Sequence, residues 1–519
     1  MSRYSVVQWL FTWLMLVCQT GCYLLDSLTA ASNLSYMPKY INISNSEQDY
    51  CERKKKLFTL SEWRLSTEKF TAALPIDSIQ ENYVREVRGT IFSVVYPTPF
   101  TSRVLLVAVS KEVLEEILDL DISVSGSEDF LQLVSGAKLI LGSLPLAHRY
   151  GGHQFGSWAG QLGDGRAHLI GVYTNRFGVS WELQLKGSGR TPYSSLVVSD
   201  DDVWRDRFYN GNIKKERGAV VLRVAKSWFR IGSLEILAHS GELDLLRMVL
   251  DFVIDEHFPS INLYDPNRYL AFFSRVVSET ANLMALWMSV GFAHDFVPNT
   301  SDDERRYKIG NQANVGMFNL NKLLQALNLL LDPRQKQLAS QILEGYSEKY
   351  YRCFTDIFKR KLGLLGDYDE DNYLIAFLLK LMEDSRADFT MTFRQLSEIS
   401  QDQLKDLSIP KEFWALQDVA EHKFFSHWVN LYLLRIKRNK DDSDFERRKR
   451  MTGINPRYVL RNWMAESASQ KAEKNDFSEV RLLQQILQFP FQAQMVAERA
   501  GYAKRPPAWA QEIKISCSS

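Results

Sequence analysis

Between Tyr150 and Ser194 glycine recurs so densely that the backbone there must turn sharply and pack closely several times over. The three blocks are Tyr150-Gly151-Gly152-His153-Gln154-Phe155-Gly156, Leu162-Gly163-Asp164-Gly165-Arg166 and Leu185-Lys186-Gly187-Ser188-Gly189-Arg190-Thr191-Pro192-Tyr193-Ser194. Short β-like runs lie between them: one before the Gly163-Asp164-Gly165 turn, one at 167–173 and one at 181–185, with 175–178 turning between the last two. Glycine lets backbone amides approach an anion, and Arg166, Lys186 and Arg190 supply positive charge. The block reads as a glycine-bearing hairpin followed by a strand that ends in a lysine, an arrangement suited to holding the phosphates of a nucleotide.

Elsewhere the pattern changes with position. Residues 1–56 read as an apolar leader and a flexible arm, and the folded body begins near Leu57. Strand-like runs at 90–96 and 104–109 and a helical stretch at 113–118 indicate mixed α/β structure. From Leu243 onward apolar residues fall at three- and four-residue spacing over 243–257, 269–290, 317–331 and 334–361, so this half is expected to be mainly helical. The charged stretch 441–450 reads as a surface loop, and Lys474-Asn475-Asp476 with Ser478 as the start of another helix.

Composition excludes several function classes. With 63 basic and 62 acidic residues in 519, the net charge of +1 gives no electrostatic footprint for nucleic acid. Arg53-Lys54-Lys55-Lys56 reads as a solvated face. The five cysteines, Cys18, Cys22, Cys51, Cys353 and Cys517, form no CxxC pair, which argues against a disulfide scaffold and a structural zinc site. Residues 6–17 after Arg3 are too short to span a membrane and resemble a cleavable leader of secretory type. Asn33-Leu34-Ser35 and Asn42-Ile43-Ser44 are sequons of chance frequency.

Among single residues, Lys186 between glycines and Arg190 reads as a phosphate ligand, with a solvated strand-end lysine as the plain alternative. Gly163, Gly165 and Arg166 could serve the same phosphates, although an Asp-Gly turn alone is usually only a hairpin. His153 has no carboxylate near it in sequence and reads as a loop histidine in a structural hydrogen bond. Arg223 lies inside an apolar strand, seven residues before Arg230, and there requires an anion or a carboxylate partner.

Taken together, these blocks resemble the selenoprotein O family, pseudokinase-like proteins that transfer AMP from ATP to protein hydroxyls. The resemblance runs from about Leu74 to the C-terminus through His153-Gln154-Phe155-Gly156, residues 162–166, residues 185–194, Asn455-Pro456-Arg457-Tyr458 with Arg461-Asn462, and Ser516-Cys517-Ser518-Ser519. It implies an α+β, bilobal protein-kinase-like fold, with a mixed α/β small lobe over 57–240 and a mainly helical large lobe and extension over 241–519. It further implies Gly163, Gly165, Arg166, Lys186, Arg223 and Arg230 as nucleotide contacts, ATP with Mg2+ as cofactors, Ser, Thr or Tyr hydroxyls of proteins as acceptors, and a mitochondrial location. Cys517 falls where some relatives carry selenocysteine and is a redox candidate.

Two departures from the family pattern follow. After Ser194 the family has an Asp-Gly-Arg segment and a helix whose glutamate pairs with the strand lysine, where this chain continues Ser195-Leu196-Val197-Val198-Ser199. After Gly291-Phe292-Ala293-His294 the family has the Asn-Thr-Asp-Asn and Asp-Tyr-Gly-Pro segments carrying its base and magnesium ligands. Here Asp295-Phe296-Val297-Pro298-Asn299-Thr300-Ser301-Asp302 follows, and Asp295, Asp302 and Asp303 read as solvated loop acids. No catalytic residue and no metal ligand is therefore assigned. The expected activity is AMP transfer impaired in this chain; the alternative is a catalytically inactive, nucleotide-binding isoform with a regulatory role. A third outcome is a small lobe that fails to fold because Lys186 lacks its partner.

Overall fold

The computed structural model describes residues 56–101, 103–194, 220–289, 296–297, 302–439 and 442–513, and the backbone of 206–209 and 212–215. The expected leader, both sequons, Asp295, Cys18, Cys22, Cys51 and the redox candidate Cys517 lie outside the described residues. The chain divides into two compact units. One reaches His257 and takes in Ala472–Phe477; the other comprises Phe258–Lys471 and the residues from Ser478 onward. The first is built on a sheet and the second is mainly helical, which makes the chain α+β.

In the first unit the strands are β1 (Ile76–Asp77), β2 (Phe92–Val94), β3 (Leu146–Gln154), β4 (Ser157–Gly163), β5 (Ala167–Thr174), β6 (Ser180–Lys186), β7 (Asp206–Tyr209), β8 (Asn212–Lys215) and β9 (Val221–Ala225). The sheet runs β1-β2-β3-β5-β6-β9 with β4 folded back on β3, and β7 and β8 form a separate hairpin. β1 and β2 are parallel, and the other neighbours in the sheet are antiparallel. Alternation sorts β6 and β9 into two faces, because Leu183 pairs with Val224 while Gln184 pairs with Arg223. Leu183, Leu185 and Val224 join Trp63, Phe130 and Ile170 in the core. Gln184, Lys186 and Arg223 are left on the opposite face.

Four helices accompany this sheet: α1 (Glu68–Ala73), α2 (Glu128–Ser135), α3 (Gly232–His239) and α4 (Leu243–His257). Ser127 caps α2 by accepting the Phe130 N–H, and Gly136 ends it in the left-handed region at φ 80°. A Cβ at Gly136 would lie 2.8 Å from Pro97 Cβ, so close approach reinforces the choice of glycine. Residues 104–109, expected as a strand, run irregularly with Leu105 and Leu106 exposed. A β-branched run becomes a strand only where a ladder partner meets it, and none does among the described residues.

The helices of the C-terminal half are α5 (Arg268–Met288), α6 (Gln312–Leu327), α7 (Pro333–Glu344), α8 (Tyr346–Lys361), α9 (Asp371–Ser385), α10 (Phe389–Glu398), α11 (Gln401–Lys405), α12 (Trp414–Ala420), α13 (Phe425–Ile436), α14 (Asp444–Ile454), α15 (Asn462–Glu473), α16 (Ser478–Gln488) and α17 (Met495–Arg499). The 334–361 pattern is two helices, divided at Gly345. α7 starts with a capping box between Asp332 and Gln335 and with Pro333 in its first turn. The core gathers Phe358, Leu378, Phe393, Trp428 and Tyr432. Trp428 Nε1 donates to Leu374 O at 3.0 Å and Tyr432 Oη to Leu362 O at 2.8 Å, so the polar tips of both buried rings are satisfied.

The 441–450 stretch corrects the loop expectation, because Ser443 caps α14 across most of it. Its charges hide the helix from a search for apolar periodicity. Arg447, fully buried, donates to Leu396 O and Ile399 O at the C-terminal end of α10 and pairs with Asp444. A guanidinium there satisfies carbonyls that the helix itself leaves open. Among the described residues no helix is long and apolar enough to cross a membrane.

Candidate anion site on the β4–β6 face

The turn between β4 and β5 is held from above by the segment that follows β6. Thr191 Oγ1 donates to Asp164 O at 2.8 Å, and Ser194 Oγ donates to Gly165 O at 2.6 Å. Thr98 N–H donates to Ser188 O at 2.7 Å and Asn82 Nδ2 to Arg190 O at 2.7 Å, fixing the segment along its length. This closeness explains both turn glycines. A Cβ on Gly163 would sit 2.5 Å from Tyr193 Cβ, at a φ of 149°, and one on Gly165 would sit 3.1 Å from Tyr193 O. The Asp164 N–H bonds to His148 O and the Gly165 N–H to Gly163 O, so these two amides are already engaged within the turn.

Positive charge collects beside this turn. Lys186, half-buried at the end of β6, makes no ion pair with a carboxylate among the described residues. Burial first, then the nearby charges of Arg223, Arg166 and Arg230, hold its ammonium down to about 8, with Asp164 opposing them. Burial lowers Arg223 to about 10, and Asp164, Arg230 and Tyr150 act on it in turn. Arg166 and Arg230 are exposed. Arg166, Arg223 and Arg230 therefore all lie within electrostatic reach of Lys186, and Lys186, Arg223 and Arg230 within reach of a single buried carboxylate.

That carboxylate, Asp164, is the residue sequence reasoning passed over. It is 5% exposed and accepts from Gln184 Nε2 at 3.2 Å and from the His148 N–H at 3.3 Å. Burial pushes it up to about 6, against the pull of Arg230, the His148 hydrogen bond, Arg223 and Lys186. Burial likewise raises Tyr150 to about 12, helped by Asp164 and opposed by Arg230 and Arg223. Among the described residues, Asp164 therefore feels three cations, Arg230, Arg223 and Lys186, two of them partly or fully buried, and such a grouping favours an anion. Among the described residues Arg223 makes no ion pair with a carboxylate: it donates to Gln184 Oε1 and lies over the Trp228 ring, 4.2 Å from its centre. The strand alternation that places Glu182, Gln184 and Lys186 on one face was the available signal.

The frame behind the site is neutral and tightly bonded. His148 is stacked on Phe92, and burial with the Arg230 charge depresses it to about 3. Its Nδ1 lies 3.4 Å from the Arg230 N–H and its Nε2 2.7 Å from Ser233 Oγ, which in turn donates to Arg230 O. These contacts fit a neutral ring protonated at Nε2. His153 lies apart from this group, 3.4 Å from Glu235 Oε1 on α3. The polar contact expected of it is thus made with a carboxylate far along the chain.

Neither remaining loop acid offers a ready metal ligand. Asp302 is buried and accepts the N–H groups of Arg306 and Tyr307, and Asp303 is exposed. Among the described residues no three His, Cys, Asp or Glu side chains group so as to hold a metal. The Asn455 to Arg461 motif belongs to the packing of the second unit. Asn455 bonds Lys361 O and Ser397 Oγ, Arg457 bridges Glu398 and Glu498, Tyr458 bonds Glu498, and Arg461 pairs with Asp388.

Comparison with known proteins places this geometry. A family model described as protein adenylyltransferase SelO matches residues 78–197, 195–296 and 294–488. The chain belongs to the SelO family. A protein nucleotidyltransferase YdiU of Azoarcus sp. strain BH72 is 36% identical over 520 positions, drawing on 87% of this chain and 98% of the relative. Those of Pseudomonas fluorescens strain SBW25 and Flavobacterium johnsoniae are each 34% identical, over 83% and 87% of this chain and 97% of the relative. The SelO match comes in three pieces that meet at 195–197 and 294–296, the two places where the sequence departs from the family pattern. The aligned length also exceeds the share of this chain it uses, so the Azoarcus relative carries residues with no counterpart here.

Proposed function

We propose that the first unit binds ATP through its polyphosphate, with Arg166, Lys186, Arg223 and Arg230 neutralising the phosphates and Gly163 and Gly165 shaping the turn beneath them. The observation that supports this reading is the grouping of Lys186, Arg223 and Arg230 around one buried carboxylate beside that turn, with Arg166 in reach of Lys186. In a partly desolvated recess each charge-assisted contact is stronger than in water. With this reading goes that of the first unit as the small lobe of a kinase-like fold, and of the chain as a protein adenylyltransferase by descent, directed at Ser, Thr or Tyr hydroxyls.

Turnover is proposed to be impaired. The breaks in the family match at 195–197 and 294–296 favour a chain that has lost a segment at each join, and with them the magnesium ligands and the base. The same breaks favour a second reading, a regulatory protein that binds nucleotide without turnover. Incubation of the full chain with ATP labelled at the α-phosphate separates the two. Label carried into protein supports an adenylyltransferase, saturable binding without transfer supports the regulatory reading, and the absence of both overturns the nucleotide assignment.

A further inference from the structure

The nucleotide reading gives no role to two polar groups buried at its centre, the Asp164 carboxylate and the Gln184 amide. An ionised carboxylate only accepts hydrogen bonds, so it decides which end of a neighbouring amide faces it. Gln184 presents Nε2 to Asp164 Oδ2 at 3.2 Å, which turns Oε1 toward β9, where Arg223 donates to it. Asp164 is in turn held by its main chain, the N–H on His148 O at 2.9 Å and the carbonyl on Thr191 Oγ1 at 2.8 Å. Arg223 is 5% exposed, is pressed on the Trp228 ring and keeps a buried Nε with no hydrogen-bond partner. A buried donor left unspent costs free energy unless a bound group takes it up or the neighbours hold it there.

We propose that Asp164 and Gln184 are positioning residues, and that the chain Asp164–Gln184–Arg223 aims the buried guanidinium at the polyphosphate of a nucleoside triphosphate. The inference rests on the nucleotide reading above. The charged and titratable groups around the chain are Lys186, Arg230, Tyr150 and His148, and none of them is hydrogen-bonded to Gln184 among the described residues. Among the described residues the Gln184 amide is therefore the side chain whose hydrogen bonds couple Arg223 to the turn.

The test is calorimetric titration of ATP into the full chain and into Gln184→Met, Asp164→Asn and Arg223→Met, singly and as the Gln184→Met/Arg223→Met pair, with unliganded melting recorded for each. Gln184→Met is expected to weaken ATP binding about tenfold, the size of one hydrogen bond to a charged group. That loss is expected to vanish when Arg223 is already Met, because the amide acts only through the guanidinium. Unchanged affinity in Gln184→Met while Lys186→Met loses binding overturns the positioning role and leaves the site standing. Additive losses in the double variant overturn it equally. If Gln184→Met fails to melt cooperatively, the isosteric Asp164→Asn decides by the same comparison in the Arg223→Met background. A parent chain that does not bind ATP overturns both this inference and the reading beneath it.

Discussion

Tyr193 crosses Gly163 so closely that a single added carbon on the glycine would lie 2.5 Å from the tyrosine Cβ. The tyrosine hydroxyl is meanwhile tied to Ser93 Oγ at 2.9 Å, inside the sheet. The glycine is thus a packing requirement before it is a ligand-binding one.

Gly163→Ala is expected to destabilise the first unit by roughly 2–4 kcal/mol, since steric overlap adds to an unfavourable φ. Thermal melting of the variant would measure it. A melting temperature equal to that of the parent chain would show that Tyr193 moves aside freely.

Lys186→Met is expected to leave the unliganded fold as stable as before or slightly more so, because among the described residues the ammonium makes no ion pair with a carboxylate and the repulsion of three arginines outweighs the pull of Asp164. ATP affinity is expected to fall at least tenfold. With the folded ammonium held down to about 8, raising the pH from 7 to 9 neutralises it and weakens ATP binding in the parent. The same change of pH leaves the Met variant nearly unaffected. Titrations at both pH values check the pair of outcomes.

Lys361, at the end of α8, is 5% exposed and lies over the rings of Phe389 and Phe393, 5.5 and 4.9 Å from their centres. Burial holds its ammonium down to about 7. Below that value the folded and unfolded chains are both protonated and the fold carries the full burial cost. As the pH rises from about 7 toward the ordinary lysine range, the unfolded chain alone keeps the proton and stability increases. Lys361→Met is expected to remove this slope and to stabilise the second unit at pH 7 by on the order of a few kcal/mol. Denaturant unfolding of both chains at pH 7 and 9 measures the difference.

Asp371 and Arg435, 1% and 2% exposed, form a buried pair between α9 and α13. Asp371→Ala strands the guanidinium away from water and is expected to cost about 3–5 kcal/mol. Replacing both partners with apolar residues should recover much of that loss. Chemical denaturation of the single and double variants tests the asymmetry.

The sequence was most legible where local chemistry alone decides the structure. β5 and β6 were readable as short β-like runs between glycine turns, and the turn between them from Asn175, whose Oδ1 accepts the N–H groups of Phe177 and Val179. For Arg223 the apolar strand around it indicated the need for an anion or a carboxylate as partner. What answered that need was the amide of Gln184, a neutral residue that no search for charges would pick. Glu235 beside His153, and Arg447 across the end of α10, depend on contacts between distant segments and leave no local trace. The run at 104–109 failed for the converse reason, since its propensity was sound but no strand of the described residues pairs with it.

Among the described residues, the bond from Ser194 to Gly165 is the last tie between the post-β6 segment and the turn it covers. The first break in the family match falls directly beyond it, at 195–197. Among the described residues, the hydrogen bonds that clamp the glycine turn, from Thr98 on Ser188 to Ser194 on Gly165, lie on the N-terminal side of that seam. A gene could therefore drop or restore the following cassette without unbuttoning this clamp, which would let the proposed binding and turnover be inherited as separate traits.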